Sequence, residues 1–271
     1  MGVVDYRGQS TLVTGASSGL GEEFARQLAR RGTDLVLVAR RQDRLDALAE
    51  ELSSQHRVEV HTVVQDLGEA RSGERLAAEL RGRGLAVTSL VNNAGFATFG
   101  PFHEEDPARL RQEIALDVSA VVDISRAFIN DLRSHGRGVL VNVASMAAYQ
   151  GTPEMAVYGA TKAFVLSLTE ALWVESKGTG LRVIALSPGA TRTEFFDVVG
   201  TEAAAGGQRL QSPEEVVSTA LRALDRGNPP PSVIAGRRNR IMAAAGRHLL
   251  SRTQVTKGIA RMTRRSAAAA S

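Results

Sequence analysis

The chain has 271 residues, with 33 Lys or Arg against 29 Asp or Glu, a formal charge of +4 and no cysteine. That length suits one large α/β core, and the missing thiols exclude disulfides and thiolate metal sites, as a reducing cytosol would favour. The five histidines (His56, His61, His103, His135, His248) lack ligand-like spacing, so no metal is expected; without an apolar run of ~18 residues or a basic-then-apolar leader, the expected location is the cytoplasm.

The first predicted strand, Ser10–Thr14, is a buried-type run that leads directly into Gly15-Ala16-Ser17-Ser18-Gly19-Leu20-Gly21 and then a helix over 22–31. A glycine-rich turn between strand and helix lets the backbone approach a pyrophosphate, which sits where the unpaired N–H groups of the helix point outward. The second strand is predicted over 35–39, with a helix over 44–53. A third follows over 58–64, ending at Asp66-Leu67, with a helix over 72–81. Residues 89–91 lead into Asn92-Asn93-Ala94-Gly95. Two long helices, over 106–133 with a break and over 157–176, flank a strand over 138–143; 182–186 is a sixth strand and 232–235 a short seventh. These continuous Val/Ile/Leu runs indicate strands covered on both faces. The fold class is therefore α/β: a single-domain, doubly wound parallel sheet of Rossmann-like kind. No repeat of solenoid period occurs.

Tyr158 and Lys162, spaced i and i+4, share one helix face, with Ser145 thirteen positions upstream. A free tyrosine, with a pKa near ~10, is a poor proton shuttle at neutral pH. A fixed cation beside it favours the phenolate, and a serine hydroxyl at a strand end could bond the same substrate oxygen. This trio fits proton transfer at a carbonyl or alcohol.

Taken together, Thr14 to Gly21, Asn92-Asn93-Ala94-Gly95, the trio Ser145, Tyr158 and Lys162, and Pro188-Gly189-Ala190-Thr191-Arg192-Thr193 occur in an order and spacing that resemble the classical short-chain dehydrogenase/reductase family across about residues 7–235. The resemblance implies catalysis by Ser145, Tyr158 and Lys162. It implies cofactor contacts from Gly15, Ser17, Ser18, Gly19, Leu20, Gly21, Leu67, Asn93, Ala94, Gly95, Pro188, Gly189, Thr191 and Thr193, as well as Tyr158 and Lys162, with Asp66 accepting from the adenine amino group. It also implies a homodimer or homotetramer packed through the two long helices. Where the family usually carries an asparagine holding a water by its main-chain carbonyl, this chain has Asp117, whose side chain adds negative charge near Lys162.

The end of the second strand selects the cofactor. Folds that prefer NAD place an acid there for the ribose hydroxyls, whereas here Ala39 precedes Arg40 and Arg41. An arginine fork holds a 2′-phosphate with charge-assisted bonds, so NADP(H) is expected over NAD(H), with Arg40 as the principal contact and Ser17 adding a hydroxyl.

Residues 194–212 mix apolar anchors with small residues and predict a lid over the nicotinamide side. Phe96, Met146, Tyr149, Phe195, Phe196 and Val198 are candidates for an apolar substrate pocket. Residues 1–239 form the expected NADP-binding domain and 240–271 a basic helical extension. From Arg226 onward ten Lys or Arg and no acid occur, so this segment carries +10 and the remainder −6. Arg247, Arg252, Lys257, Arg261, Arg264 and Arg265, interleaved with Leu249, Leu250, Val255, Ile259 and Met262, predict a basic amphipathic helix. Such a helix either packs on the domain and frays into solvent, or binds weakly to anionic membranes or acidic partners. With His248 as its only ring and no reading motif, nucleic acid is not expected. The sequence thus predicts an NADP(H)-dependent carbonyl reductase or alcohol dehydrogenase. The alternative is a cofactor-binding regulatory or membrane-recruited scaffold with little turnover.

Overall fold

Seven short apolar runs pair in parallel, in the order β3-β2-β1-β4-β5-β6-β7, in the computed structural model, which describes residues 2–270 apart from the side chains of Glu202, Arg247, His248, Arg264, Arg265 and 267–270. The strands are β1 (Ser10–Thr14), β2 (Asp34–Ala39), β3 (Val60–Val64), β4 (Ser89–Asn92), β5 (Val139–Val143), β6 (Arg182–Ser187) and β7 (Ser232–Ile234). Successive side chains of one strand serve opposite faces. Val13, Leu35, Leu37, Val91, Val141 and Ile184 point to one helix layer, and Leu12, Val36, Val38, Leu90, Leu140 and Val183 to the other. Because both faces are buried, the strands lack a polar alternation.

The first layer contains α1 (Gly19–Ala29), α2 (Gln42–His56) and α8 (Pro213–Leu224), which contribute Phe24, Leu28, Leu45, Leu52, Val216 and Leu221. The second contains α3 (Ser72–Gly82) and α5 (Ala120–His135), with Leu76, Leu80, Ile124 and Phe128; α6 (Ala156–Glu175) packs beside them through Val165 and Leu166. A buried amide ladder fixes this second layer. Asn92 Nδ2 donates to Ser125 Oγ and to Asn142 Oδ1, each at 2.9 Å. Asn142 Nδ2 in turn donates to Thr169 Oγ1 at 2.9 Å. Both amides are buried, and although Asn92 Oδ1 has no protein partner, these bonds set the register of β4 and β5 against α5 and α6.

The expected break in the first long helix is real and has a specific form. It runs as α4 (Pro107–Ile114), a π-helical turn (Ala115–Ser119) and then α5. Such a turn inserts one residue into the helix and re-aims its neighbours; here it carries Asp117 into the interior.

After β6 come α7 (Phe195–Val199) and a short 3-10 turn (Glu202–Ala205), then α8, capped by Ser212, whose Oγ accepts from the Glu215 amide at 3.2 Å. The basic extension forms α9 (Arg237–His248), starting a little before residue 240, and α10 (Arg252–Ala270). Of its expected residues, the side chains of Arg247, His248, Arg264 and Arg265 lie outside the described residues. No described helix is long and apolar enough to cross a membrane.

Candidate active site

Strand order reverses between β1 and β4, and the crevice at the strands' carboxyl ends opens there. The turn from β1 into α1 approaches the Asn-Asn-Ala-Gly turn closely. Thr14 Oγ1 accepts from the Asn93 amide at 2.9 Å and the Ala94 amide at 3.1 Å, while Asn93 Nδ2 donates to the Thr14 carbonyl at 3.0 Å. Gly19 has φ +58°, a left-handed conformation that favours glycine. A Cβ on Gly21 would lie 2.2 Å from the Gly15 carbonyl oxygen, so Gly21 permits the turn's tight closure instead of lining the crevice. Ser18 caps α1 by backbone position, but its hydroxyl makes no capping bond, leaving a donor beside the helix's free N–H groups.

A cavity of about 1090 Å³ occupies the crevice. At one end it meets Gly15, Ser17, Ser18, Gly19 and Leu20, with Arg40, Arg41, Asp66 and Leu67 beyond them. Asn93, Ala94 and Gly95 form its floor, and Pro188, Gly189, Thr191 and Thr193 its opposite edge. Ser145, Tyr158 and Lys162 converge at its centre; Phe96, Met146, Phe195, Phe196 and Val198 surround the far end. A glycine turn closed to side chains, free helix-terminal donors and several cations along one cavity fit a pyrophosphate-bearing dinucleotide.

One expected contact falls elsewhere, and another lines the cavity without being fixed there. Tyr149 turns away: its hydroxyl lies 3.3 Å from Ser187 Oγ, and it lines a separate small recess against α9. Met146 lines the main cavity, whereas Tyr149, at the other end of the 3-10 turn Met146–Tyr149, lines the recess. Arg40, the expected phosphate ligand, extends into solvent, with 74% of its side chain exposed and Asp66 4.0 Å away. Arg41 is the ordered cation instead. Its Nε and Nη2 donate to Ser17 Oγ at 3.2 and 3.1 Å, and Nη1 pairs with Glu194 at 2.8 Å. Asp66 Oδ1 accepts from the Gly68 amide at 2.9 Å.

At the centre, Ser145 Oγ accepts from the Ala147 amide at 3.1 Å. The Tyr158 ring packs 5.6 Å from the Phe195 ring, centroid to centroid, and the Lys162 ammonium sits 5.6 Å from the Tyr158 centroid. Lys162 Nζ donates to the Val143 carbonyl at 3.3 Å and pairs with Asp117 Oδ2 at 3.0 Å. Asp117 is fully buried behind the lysine; its Oδ1 accepts from the Phe96 amide at 3.0 Å. Gly95 allows this approach, since a Cβ there would lie 2.9 Å from Asp117 Oδ1. The aspartate thus engages Lys162 through its side chain, beyond the main-chain role expected of its position.

Burial pushes the Tyr158 phenol above its ordinary value, while the Lys162 cation and the Ser145 hydroxyl draw it down and the Asp117 charge adds to the rise. The expected depression by lysine is present but outweighed by burial. For Lys162, burial favours the neutral amine, but the Asp117 and Tyr158 charges outweigh it and hold the ammonium form. Burial raises Asp117, with Lys162 opposing. One turn before Asp117, Glu113 is buried: Oε2 accepts from the Thr98 amide at 3.0 Å, and Oε1 has no protein partner. Burial pushes its pKa up to about 7, aided by Asp117. Sequence reading missed Glu113, although a second carboxylate four residues before Asp117 was its signal.

The lid and the tail enclose the far end. Phe195, Phe196 and Val198 come from α7 and its entry; Met242 comes from α9; Val255, Ile259 and Met262 come from α10, which rests on the 3-10 turn of the lid. The apolar stripe of the basic helix therefore faces the cavity, while Arg252, Lys257 and Arg261 face solvent.

A short chain dehydrogenase family model matches residues 9–203. Sulfoacetaldehyde reductase 2 of Chromohalobacter salexigens is 40% identical over 186 residues, 68% of this chain and 73% of that protein. A 7beta-hydroxysteroid dehydrogenase of Collinsella aerofaciens is 29% identical over 243 residues, 89% of this chain and 90% of that one. Among solved structures, a short-chain dehydrogenase from Sphingobium yanoikuyae in complex with NADPH superposes with a TM-score of 0.77 at 34% identity, covering 88% of this chain and 93% of that one.

Glu113 yields a stability prediction. Its ordinary pKa of 4.5 rises to about 7 on folding, so between those values the folded chain holds a proton that the unfolded chain has released. The stabilisation is complete below the lower value and disappears as pH rises through the upper one. From pH 5 to pH 8 the wild type should lose roughly 2 to 3 kcal/mol more than Glu113→Gln, measured by urea unfolding at each pH.

Proposed function

Because the chain belongs to the short-chain dehydrogenase family, we propose that it is an NADP(H)-dependent oxidoreductase acting on a bulky, apolar ketone or the matching secondary alcohol. The observation that carries this reading is the convergence of Ser145, Tyr158 and Lys162 at the middle of one cavity, with the glycine turn at one end and apolar side chains at the other. The reduced nicotinamide, when bound, supplies a hydride to the carbonyl carbon. Tyr158 gives its phenolic proton to the carbonyl oxygen, which Ser145 holds by a hydrogen bond. Lys162 stabilises the phenolate that remains and binds the nicotinamide ribose. Asp117 keeps Lys162 charged and fixes its place. In the direction of alcohol oxidation the same groups act in reverse, with Tyr158 as the base.

The absence of an acid at the end of β2, three nearby arginines (Arg40, Arg41, Arg44) and the Ser17 hydroxyl support the preference for NADP(H), as does the NADPH held by the Sphingobium relative. The substrate class rests on the cavity's far wall, where Phe96, Phe195, Phe196, Met242, Ile259 and Met262 gather, with the Arg109 guanidinium 4.0 Å over the Phe96 ring. The relative that aligns along nearly all of the chain acts on a hydroxysteroid, a ligand of that bulk and character. Half-exposed Val122 on α5 and Phe164 and Val174 on α6 support assembly as a homodimer or homotetramer through those helices.

Tyr158→Phe should lower kcat by ~10²- to 10⁴-fold on the best ketone of a panel, leaving NADPH affinity nearly unchanged, because only the proton donor is lost. Assay by NADPH absorbance, with calorimetric titration of the cofactor, checks both parts. More than a tenth of wild-type kcat in this variant would remove Tyr158 from its role.

Asp117 raises the Tyr158 pKa through its negative charge. In Asp117→Asn the phenol should therefore ionise at lower pH. Ketone reduction, which needs the protonated phenol, should decline at lower pH than in the wild type, and alcohol oxidation should rise earlier. Profiles of kcat/KM against pH in both directions test this.

A second reading concerns location. Exposed Leu249 and Leu250 lie beside the outward-facing Arg252, Lys257 and Arg261, which supports weak recruitment of the cytoplasmic protein to anionic membranes. The full chain should sediment with phosphatidylserine vesicles at low salt and detach as salt rises. The R252E/K257E/R261E triple variant should remain in the supernatant.

A further inference from the structure

Glu194 stands at the junction of two parts of the site that the sequence places far apart. It directly precedes α7, the first element of the lid, yet its carboxylate reaches back to α2 and the glycine turn. Oε2 pairs with Arg41 Nη1 at 2.8 Å and Oε1 pairs with Arg44 Nη1. The same Arg41 guanidinium is bound to the Ser17 hydroxyl and, at 3.3 Å, to the Ser17 carbonyl. Next to Glu194, Thr193 touches the glycine turn, since a Cβ on Gly19 would come within 3.1 Å of its side chain. One carboxylate thus ties the lid's start to the arginines at the end of β2.

We infer that Glu194 is a cofactor-sensing latch: its carboxylate occupies, on Arg41 and Arg44, the position that the 2′-phosphate of NADP(H) takes, so that the phosphorylated cofactor alone releases the lid's first residues. The inference rests on the NADP(H) reading above and adds a residue to it.

Charge and exposure favour the exchange. A phosphate monoester carries up to two negative charges and three acceptor oxygens, so it outcompetes a single carboxylate for two guanidinium groups. The three side chains of the latch remain 38 to 45% exposed. An ion pair so wetted is weak and opens cheaply. The Arg44 and Arg41 cations hold Glu194 below the usual carboxylate range, so it competes as an anion throughout the neutral range. NAD(H), bearing only a hydroxyl at that carbon, cannot displace it. Since linkage is reciprocal, closing the latch weakens the phosphate's hold by the same factor by which the phosphate opens it.

Calorimetric titration of NADPH and NADH against the wild type, Arg41→Ala and Glu194→Gln separates this inference from the reading beneath it. Tighter NADPH than NADH binding in the wild type, lost in Arg41→Ala, tests the NADP(H) reading alone. The latch requires Glu194→Gln to tighten NADPH by about three- to tenfold, the worth of one wetted ion pair and one removed like charge, and to leave NADH unchanged. Unaltered NADPH affinity, or a loss of NADH affinity showing that Glu194 accepts from the ribose hydroxyls, would overturn it while leaving the first comparison intact. Amide hydrogen exchange over residues 194–206 of the wild type gives an independent readout without nicotinamide. Adenosine 2′,5′-bisphosphate should speed exchange there, whereas 5′-AMP should not. Equal exchange with both nucleotides would also sink the latch.

Discussion

The buried ion pair between Asp117 and Lys162 is the constraint around which the rest of the site is arranged. A carboxylate with no solvent exposure is tolerable only when its charge is met and its oxygens are bonded. Lys162, at 3.0 Å, meets the charge, and the Phe96 amide bonds the other oxygen. Several local features follow from this requirement. The helix loosens into a π turn so that residue 117 faces inward. The Asn-Asn-Ala-Gly turn ends in a glycine because a side chain would strike the carboxylate. The lysine, so anchored, is held within reach of the tyrosine from below. The asparagine usual in the resembled family would leave that ammonium without a fixed negative partner. This chain has in effect traded a neutral support for a charged one and accepted a higher tyrosine pKa.

The two ends of the cavity differ in what lines them. The end proposed to hold the dinucleotide meets the glycine turn and the arginines after β2, while the other meets Phe195, Phe196 and the tail helices. These last helices turn Met242, Val255, Ile259 and Met262 to the cavity and keep Arg252, Lys257 and Arg261 outside, so the +10 segment supplies wall on one side and a basic face on the other.

Features encoded by local chemistry were legible in the sequence. The strands were visible because unbroken Val and Leu runs have few other uses in a chain of this composition. The glycine turn and the Ser145, Tyr158, Lys162 set were visible through spacing, whereas the break in the first long helix was expected without a position and its place at Ala115–Ser119 came from the structure. Features that depend on long-range approach were not. Glu194 and Arg41 are separated by 153 positions, and nothing near either one names the other. The sequence favoured Arg40 over its neighbour, but the backbone at Arg41 turns that side chain onto Ser17 and leaves Arg40 largely exposed. Tyr149 is one turn of tight helix from Met146, yet the two point to different sides. An amphipathic pattern shows that α10 has an apolar face without showing whether lipid or protein will cover it.

The region matched by the family model stops at residue 203, whereas the wall built by α9 and α10 begins more than thirty positions later. The hydride and proton transfer proposed above would depend on side chains from the earlier region, and the far cavity is lined in part by the later one. Among the described residues, α9 and α10 follow the last strand of the sheet, β7. Apart from buried anchors such as Asn239, which bonds to Ala235 and Gln211, substitutions on the cavity side of this later segment change which molecules fit before they change whether the chemistry runs. A scaffold divided in this way can explore new substrates at little risk to itself, with its inherited reactivity shielded from the mutations that redirect it.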